Sequence, residues 1–221
     1  MIKLVIFDCD GVILDSESLY LDCALENCKI NHFDIPIDVL KDVIGGNMVH
    51  HKEVIMNYMG KDFDFDDYIN KLRDIASLRK KISPTPVKKG FFELMQYLKD
   101  HSIKTAMATS TEKVRQLNNL KAVNINEDYF DFMVFGDDIS KSKPDPEIYL
   151  KVVEHYNIEK EDILVIEDSL NGVLSAINAG LKVIYIPDLI NIPKDVEELT
   201  YKKLNSLDEV ISLIESINKE D

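Results

Sequence analysis

Short apolar runs recur along the chain at about residues 2–8, 103–109, 132–135, 163–167 and 182–186. They are continuous rather than alternating, the pattern of strands buried on both faces of a parallel sheet. Helical spacing accompanies them. Residues 90–100 put Phe91, Leu94, Met95 and Leu98 on one face, and residues 146–156 do so with Ile148, Tyr149, Val152, Val153 and Tyr156, with Pro146 suited to a first turn. Residues 170–179 carry Val173, Leu174 and Ile177, and Gly180 is a stop signal. Strands alternating with helices of this length predict an α/β fold, a doubly wound parallel sheet with a Rossmann-like core.

One interval breaks the rhythm. Residues 16–84 read as almost wholly helical, with Phe65, Tyr68, Ile69, Leu72, Ile75 and Ala76 at three- and four-residue steps and a weaker stripe through Leu19, Cys23 and Leu25. A crossover between parallel strands needs one helix, and this span has room for about four. The expected organisation is a Rossmann-like core of residues 1–15 and 85–221, with residues 16–84 inserted as a helical domain. The exit, Lys80-Lys81-Ile82-Ser83-Pro84-Thr85-Pro86, has the proline punctuation of a linker. After Pro187 the pattern predicts a loop and a terminal helix near 206–217.

Composition narrows the function classes. The 221 residues are 45% hydrophobic, enough for a substantial core, and the net charge of −14 argues against a nucleic-acid partner. Cys9, Cys23 and Cys28 have no Cys-x-x-Cys spacing and form no visible disulfide framework, which suits a reducing compartment. The apolar run before Asp8 is about five residues, too short for a signal-peptide core, and no stretch approaches the ~18 apolar residues of a membrane helix. The expectation is a cytoplasmic monomer with no membrane partner.

The ends of the predicted strands carry the chemistry. The first closes in Asp8-Cys9-Asp10-Gly11, two carboxylates one residue apart at the edge where ligands gather in open α/β sheets. Such a pair repels itself unless a cation or shared proton intervenes; alternatively the strand simply exits into a solvated acidic turn. The second ends in Thr109-Ser110-Thr111, whose hydroxyls can cap a helix or donate to a phosphate oxygen. Lys143-Pro144-Asp145-Pro146 follows the third, and its lysine is either a surface group in a proline turn or a cation held beside the carboxylates. The fourth ends in Glu167-Asp168-Ser169, where capping competes with metal binding. Four carboxylates converging on one edge suit a hard divalent cation with oxygen ligands, Mg²⁺ above all.

Taken in order, Asp8-Cys9-Asp10-Gly11-Val12, Thr109, Lys143 and Glu167-Asp168 resemble the haloacid dehalogenase-like hydrolase superfamily, over the whole chain and with an insert where its small helical cap belongs. Within it the chain is similar to the branch of phosphoglycolate phosphatases and β-phosphoglucomutase. The resemblance implies that Asp8 is a nucleophile forming an aspartyl-phosphate. Asp10 would be the acid and base. Mg²⁺ would bind Asp8, the Asp10 backbone carbonyl and Asp168, with Glu167 direct or through water. Thr109, Ser110 and Lys143 would hold phosphoryl oxygens, and Tyr20 and Met48 would contact substrate from the cap.

Where the mutase has a histidine twelve residues after its nucleophile, this chain has Tyr20, and Met48 stands where a cap arginine is expected three residues after Gly45. That departure favours a phosphatase of a small phosphorylated metabolite over a sugar phosphomutase. A catalytically silent binding module is the remaining class, opposed by retention of every motif side chain. His50 and His51 point about 100° apart on a helix and are expected at the surface. Gly45-Gly46 reads as a cap loop or a helix break, and the basic residues Arg79, Lys80, Lys81, Lys88 and Lys89 as a solvated face.

Overall fold

The computed structural model describes residues 1–46 and 48–220. Strand β1 (Leu4–Phe7) leads into four helices: α1 (Ser16–Asn31), α2 (Ile37–Asp42), α3 (Met48–Met59) and α4 (Phe65–Ile82). Then follow α5 (Phe91–Asp100), β2 (Lys104–Ala108), α6 (Lys113–Ala122) and β3 (Phe132–Val134). After them come α7 (Glu147–Tyr156), β4 (Ile163–Glu167), α8 (Leu170–Asn178), β5 (Lys182–Tyr185), α9 (Lys194–Glu197), β6 (Lys202–Lys203) and α10 (Glu209–Glu220). The chain divides into two compact units, one of Met1–Asp15 with the residues from Pro86 onward, the other Ser16–Thr85.

The first unit is a six-stranded sheet in the order β3-β2-β1-β4-β5-β6, every pairing parallel. The doubly wound core expected from the apolar runs is therefore present. β1 is the switch point, because the chain moves outward from it on both sides and leaves a crevice at its carboxyl end. Alternate residues of β1 feed two cores. Val5 and Phe7 pack with Phe91, Leu94 and Leu98 of α5 and Val210 and Ile214 of α10, while Leu4 and Ile6 pack with Ile148 and Val152 of α7 and Val173 and Ala176 of α8. At about 25 cal/mol per Å² of apolar surface, burial on both faces makes this strand a major contributor to the stability of the sheet. The register sets Phe7 beside Met107 and Ile166, which brings Asp8, Ala108 and Glu167 to one level at the strand ends.

The second unit has its own core, of Cys23, Ala24, Leu40, Ile55, Phe65, Tyr68, Ile69 and Leu72, with Ile75 partly buried against it. Asp64 caps α4 by accepting from the Asp67 backbone N–H at 2.9 Å. Buried Asn27 donates to the Tyr68 carbonyl, tying α1 to α4.

Three features depart from the sequence reading. His51 is buried rather than at the surface, ringed edge-on by Tyr20, Phe65 and Tyr68, while His50 is exposed as expected and bonds the Asp42 carbonyl. Helix α6 has no apolar stripe to advertise it, since its buried face holds only Gln116 and Leu120. Strand β6 is two exposed lysines, too short for a periodicity signal. Asn47, inside the Gly45–Met48 stretch, lies outside the described residues.

Candidate active site

β1 delivers Asp8 to the crevice, where its backbone N–H still bonds the Ile166 carbonyl at 3.0 Å and its side chain is buried. The chain then reverses. Gly11 has a φ of +88°, a conformation other residues adopt only with strain, and a Cβ there would lie 2.0 Å from Asp168 Oδ2. Glycine is needed for the turn and for the approach of that carboxylate.

Lys143, in the Lys143-Pro144-Asp145-Pro146 turn that leads into α7, is 7% exposed, so the surface reading of the proline turn gives way to the buried cation. Its ammonium donates to Asp8 Oδ1 at 2.5 Å, Glu167 Oε1 at 2.6 Å and the Ala108 carbonyl at 3.2 Å. Three N–H groups meet three acceptors.

Glu167 is fully buried, and both its oxygens are occupied. Oε1 accepts from Lys143 and from the Tyr149 hydroxyl at 2.6 Å; Oε2 accepts from the Asp168 N–H at 3.1 Å and from Ser169. It sits at the start of α8, whose first-turn dipole favours negative charge. Gly172 makes room for it: a Cβ there would lie 1.9 Å from Glu167 Oε1. Ser169 caps α8 through the Gly172 N–H.

Asp8, Glu167 and Asp168 present buried carboxylate oxygens all within 4.8 Å of one another. Two of the three lean on one lysine, so the cluster carries surplus negative charge. Burial pushes the Asp8 carboxyl upward, against the pull of Lys143 and with Glu167 adding to the rise. Burial alone would lower Lys143, but Asp8 and Glu167 overturn this and hold the ammonium charged. Hard oxygen donors, burial and unbalanced charge together fit Mg²⁺. Cys9 is no competitor, because burial first and its flanking carboxylates next keep it a thiol.

Asp10 is half-buried, and its Oδ2 accepts from the Thr111 hydroxyl at 2.8 Å. Thr109 is buried, with its hydroxyl oxygen accepting the Thr111 N–H, and Ser110 is exposed on the same loop. Thr111 and Tyr149 are thus site groups the sequence reading did not single out as such. The third hydroxyl of Thr109-Ser110-Thr111 was a signal for the first. Tyr149 was visible only as part of an apolar stripe. In the helical unit, the Tyr20 hydroxyl and His51 Nε2 share a 2.8 Å hydrogen bond, and Met48 is exposed at the start of α3.

Residues 5–186 match the model of the haloacid dehalogenase-like hydrolases. The chain belongs to that family. Among its curated members, a phosphorylated carbohydrates phosphatase of Thermotoga maritima is 32% identical over 218 residues, 97% of this chain and 99% of that one. A phosphoglycolate phosphatase of Nitrosospira multiformis is 28% identical over 205 residues, 90% and 88% of the two chains. Among solved haloacid dehalogenase-like structures, a Thermotoga maritima protein provisionally described as a β-phosphoglucomutase gives a TM-score of 0.80 at 28% identity, covering 98% of this chain and all of that one. Among the described residues no helix is long and apolar enough to cross a membrane.

Proposed function

We propose that this hydrolase is a Mg²⁺-dependent phosphatase of small phosphorylated carbohydrates, acting through an aspartyl-phosphate on Asp8. One observation carries the reading: a buried lysine bridges Asp8 and Glu167 within a three-carboxylate cluster at the strand ends. A buried ion cluster of this kind is a weak source of stability, and its perturbed groups mark a working site. The carbohydrate class follows the Thermotoga maritima relative, which is named for it.

An Asp8 carboxylate oxygen attacks phosphorus as the bond to the substrate oxygen breaks, and Asp10 gives that oxygen its proton. Asp10 then takes a proton from water, whose oxygen attacks phosphorus and frees Asp8 and inorganic phosphate. Its hydrogen bond from Thr111 holds the Asp10 carboxylate in one orientation through both steps. Thr109, Ser110 and Lys143 receive the phosphoryl oxygens. Asp8, Asp168 and the Asp10 backbone carbonyl would hold Mg²⁺, with Glu167 direct or through water, and the ion would shield Asp8 from the incoming phosphate and offset charge in the transfer.

Residues 16–84 act as the cap in this reading, with Tyr20 and Met48 choosing the substrate. The phosphomutase alternative is set aside because those two stand where the mutase carries histidine and arginine. Three free, buried cysteines suit a cytoplasmic enzyme, and a monomer is proposed.

The test is phosphate release from a panel of sugar phosphates, with and without EDTA. Activity should vanish in chelator, return with Mg²⁺, and fall by orders of magnitude in Asp8→Asn. Full turnover in excess chelator, or near-parent turnover by the variant, would sink the mechanism. A sugar 1-phosphate converted to its 6-phosphate without free phosphate would make it a mutase.

A further inference from the structure

We propose that Tyr149 is a positioning residue for this site, acting through Glu167. The inference rests on the phosphatase reading for its consequences in turnover, but the geometry stands without it. Tyr149 is fully buried on α7, its hydroxyl donates to Glu167 Oε1 at 2.6 Å, and its ring lies under Lys143 with Nζ 5.0 Å from the centroid. The two ends of one side chain therefore touch the two groups that hold Asp8 and the cation cluster together.

The demand on Glu167 explains why a hydroxyl is useful there. Glu167 Oε1 lies in a site with no solvent to satisfy it, and it accepts from Lys143 and Tyr149 together. Without Tyr149 the oxygen would depend on Lys143 alone. That lysine already divides three N–H groups among Asp8, Ala108 and Glu167, and must redirect one to reach a phosphoryl oxygen. A second donor on Oε1 makes that exchange cheaper, because Glu167 stays satisfied while Lys143 moves. It also fixes the Glu167 carboxylate against Asp8 and Asp168. Partners that orient metal-site carboxylates typically matter by about 10–100-fold in metal affinity or activity. The ring face is a separate contribution, since any aromatic would keep the cation–π contact.

Phenylalanine separates the two. Tyr149→Phe retains the ring and removes the hydroxyl. By isothermal titration calorimetry on substrate-free protein, Mg²⁺ affinity should fall about 10-fold. With the best sugar phosphate, kcat should drop about as far while KM changes little. In an E167Q background the same Phe substitution should add no further loss, because the group it acts through has changed. Tyr149→Leu, lacking ring and hydroxyl, should lose more melting temperature than Tyr149→Phe yet show the same Mg²⁺ deficit. Unchanged Mg²⁺ affinity in Tyr149→Phe, an undiminished loss in the E167Q background, or a deficit that tracks melting temperature would each return Tyr149 to mere packing. The calorimetry reads cation binding alone, so a parent protein that binds Mg²⁺ but releases no phosphate would refute the phosphatase reading and leave this one standing.

Discussion

His51 gives a prediction whose size follows from its surroundings. Burial lowers the imidazole from 6.5 to about 4, and the charges of His50 and Arg73 push the same way. The unfolded chain takes up a proton there as pH falls through 6.5, whereas the folded chain refuses it until about pH 4. Unfolding thus binds a proton in that window, and stability declines as pH falls. Integrating gives a loss of about 1.4 kcal/mol near pH 5.5 and about 2.5 kcal/mol near pH 4.5, order-of-magnitude values. His51→Phe removes the titration and keeps a ring against Tyr20, Phe65 and Tyr68. It removes the hydrogen-bond partner of the Tyr20 hydroxyl, costing about 1 kcal/mol at neutral pH. Urea unfolding of both proteins, followed by circular dichroism from about pH 7.5 to 4.5, cancels every other titrating group in the difference. The parent should be the more stable at the neutral end and the less stable at the acid end. A difference that stays constant with pH would mean that the imidazole is not held neutral by its cage.

Three further substitutions probe the site and its selectivity. Gly172→Ala would ordinarily favour a helix by about 1 kcal/mol, but its Cβ would fall 1.9 Å from Glu167 Oε1. Melting temperature and Mg²⁺ affinity should therefore both drop, and a stabilised, fully active variant would show that Glu167 has room to move. Tyr20→Phe and Met48→Ala should reorder the sugar phosphate panel more than they slow a minimal ester such as acetyl phosphate. Equal losses on both kinds of substrate would remove these residues from substrate selection.

Much of the sheet was legible because strands buried on both faces need apolar runs, which β1 and β4 have almost unbroken and β2 and β5 have after a leading lysine. Their ends drew attention to the candidate site, since Asp8, Glu167 and Asp168 stand where no packing reason calls for acids, and the structure brings these three carboxylates together. Other features are set by partners distant in sequence. Gln116 gives α6 a buried face that looks polar, because its amide nitrogen bonds Cys9 Sγ in the loop between Asp8 and Asp10. The burial of His51 depends on rings from α1 and α4 that no local pattern reveals. Tyr149 read as one more apolar position on α7, and its hydroxyl meets Glu167, a residue 18 positions away, only in the folded chain.

The central position of β1 also shapes how the molecule is made. Leu4–Phe7 is synthesised well before either of its neighbours, since Leu4 pairs with Lys104 on one side and Ile163 on the other. Throughout synthesis of the helical insert, a fully apolar strand has no native partner and presents both edges to any chain nearby. The paired entry and exit of the insert, where the Asp15 N–H bonds the Pro86 carbonyl and Leu14 bridges Val87, can form only after that insert is complete. Nascent chains stalled between Phe7 and Lys104 are thus the stage at which this protein most needs a chaperone.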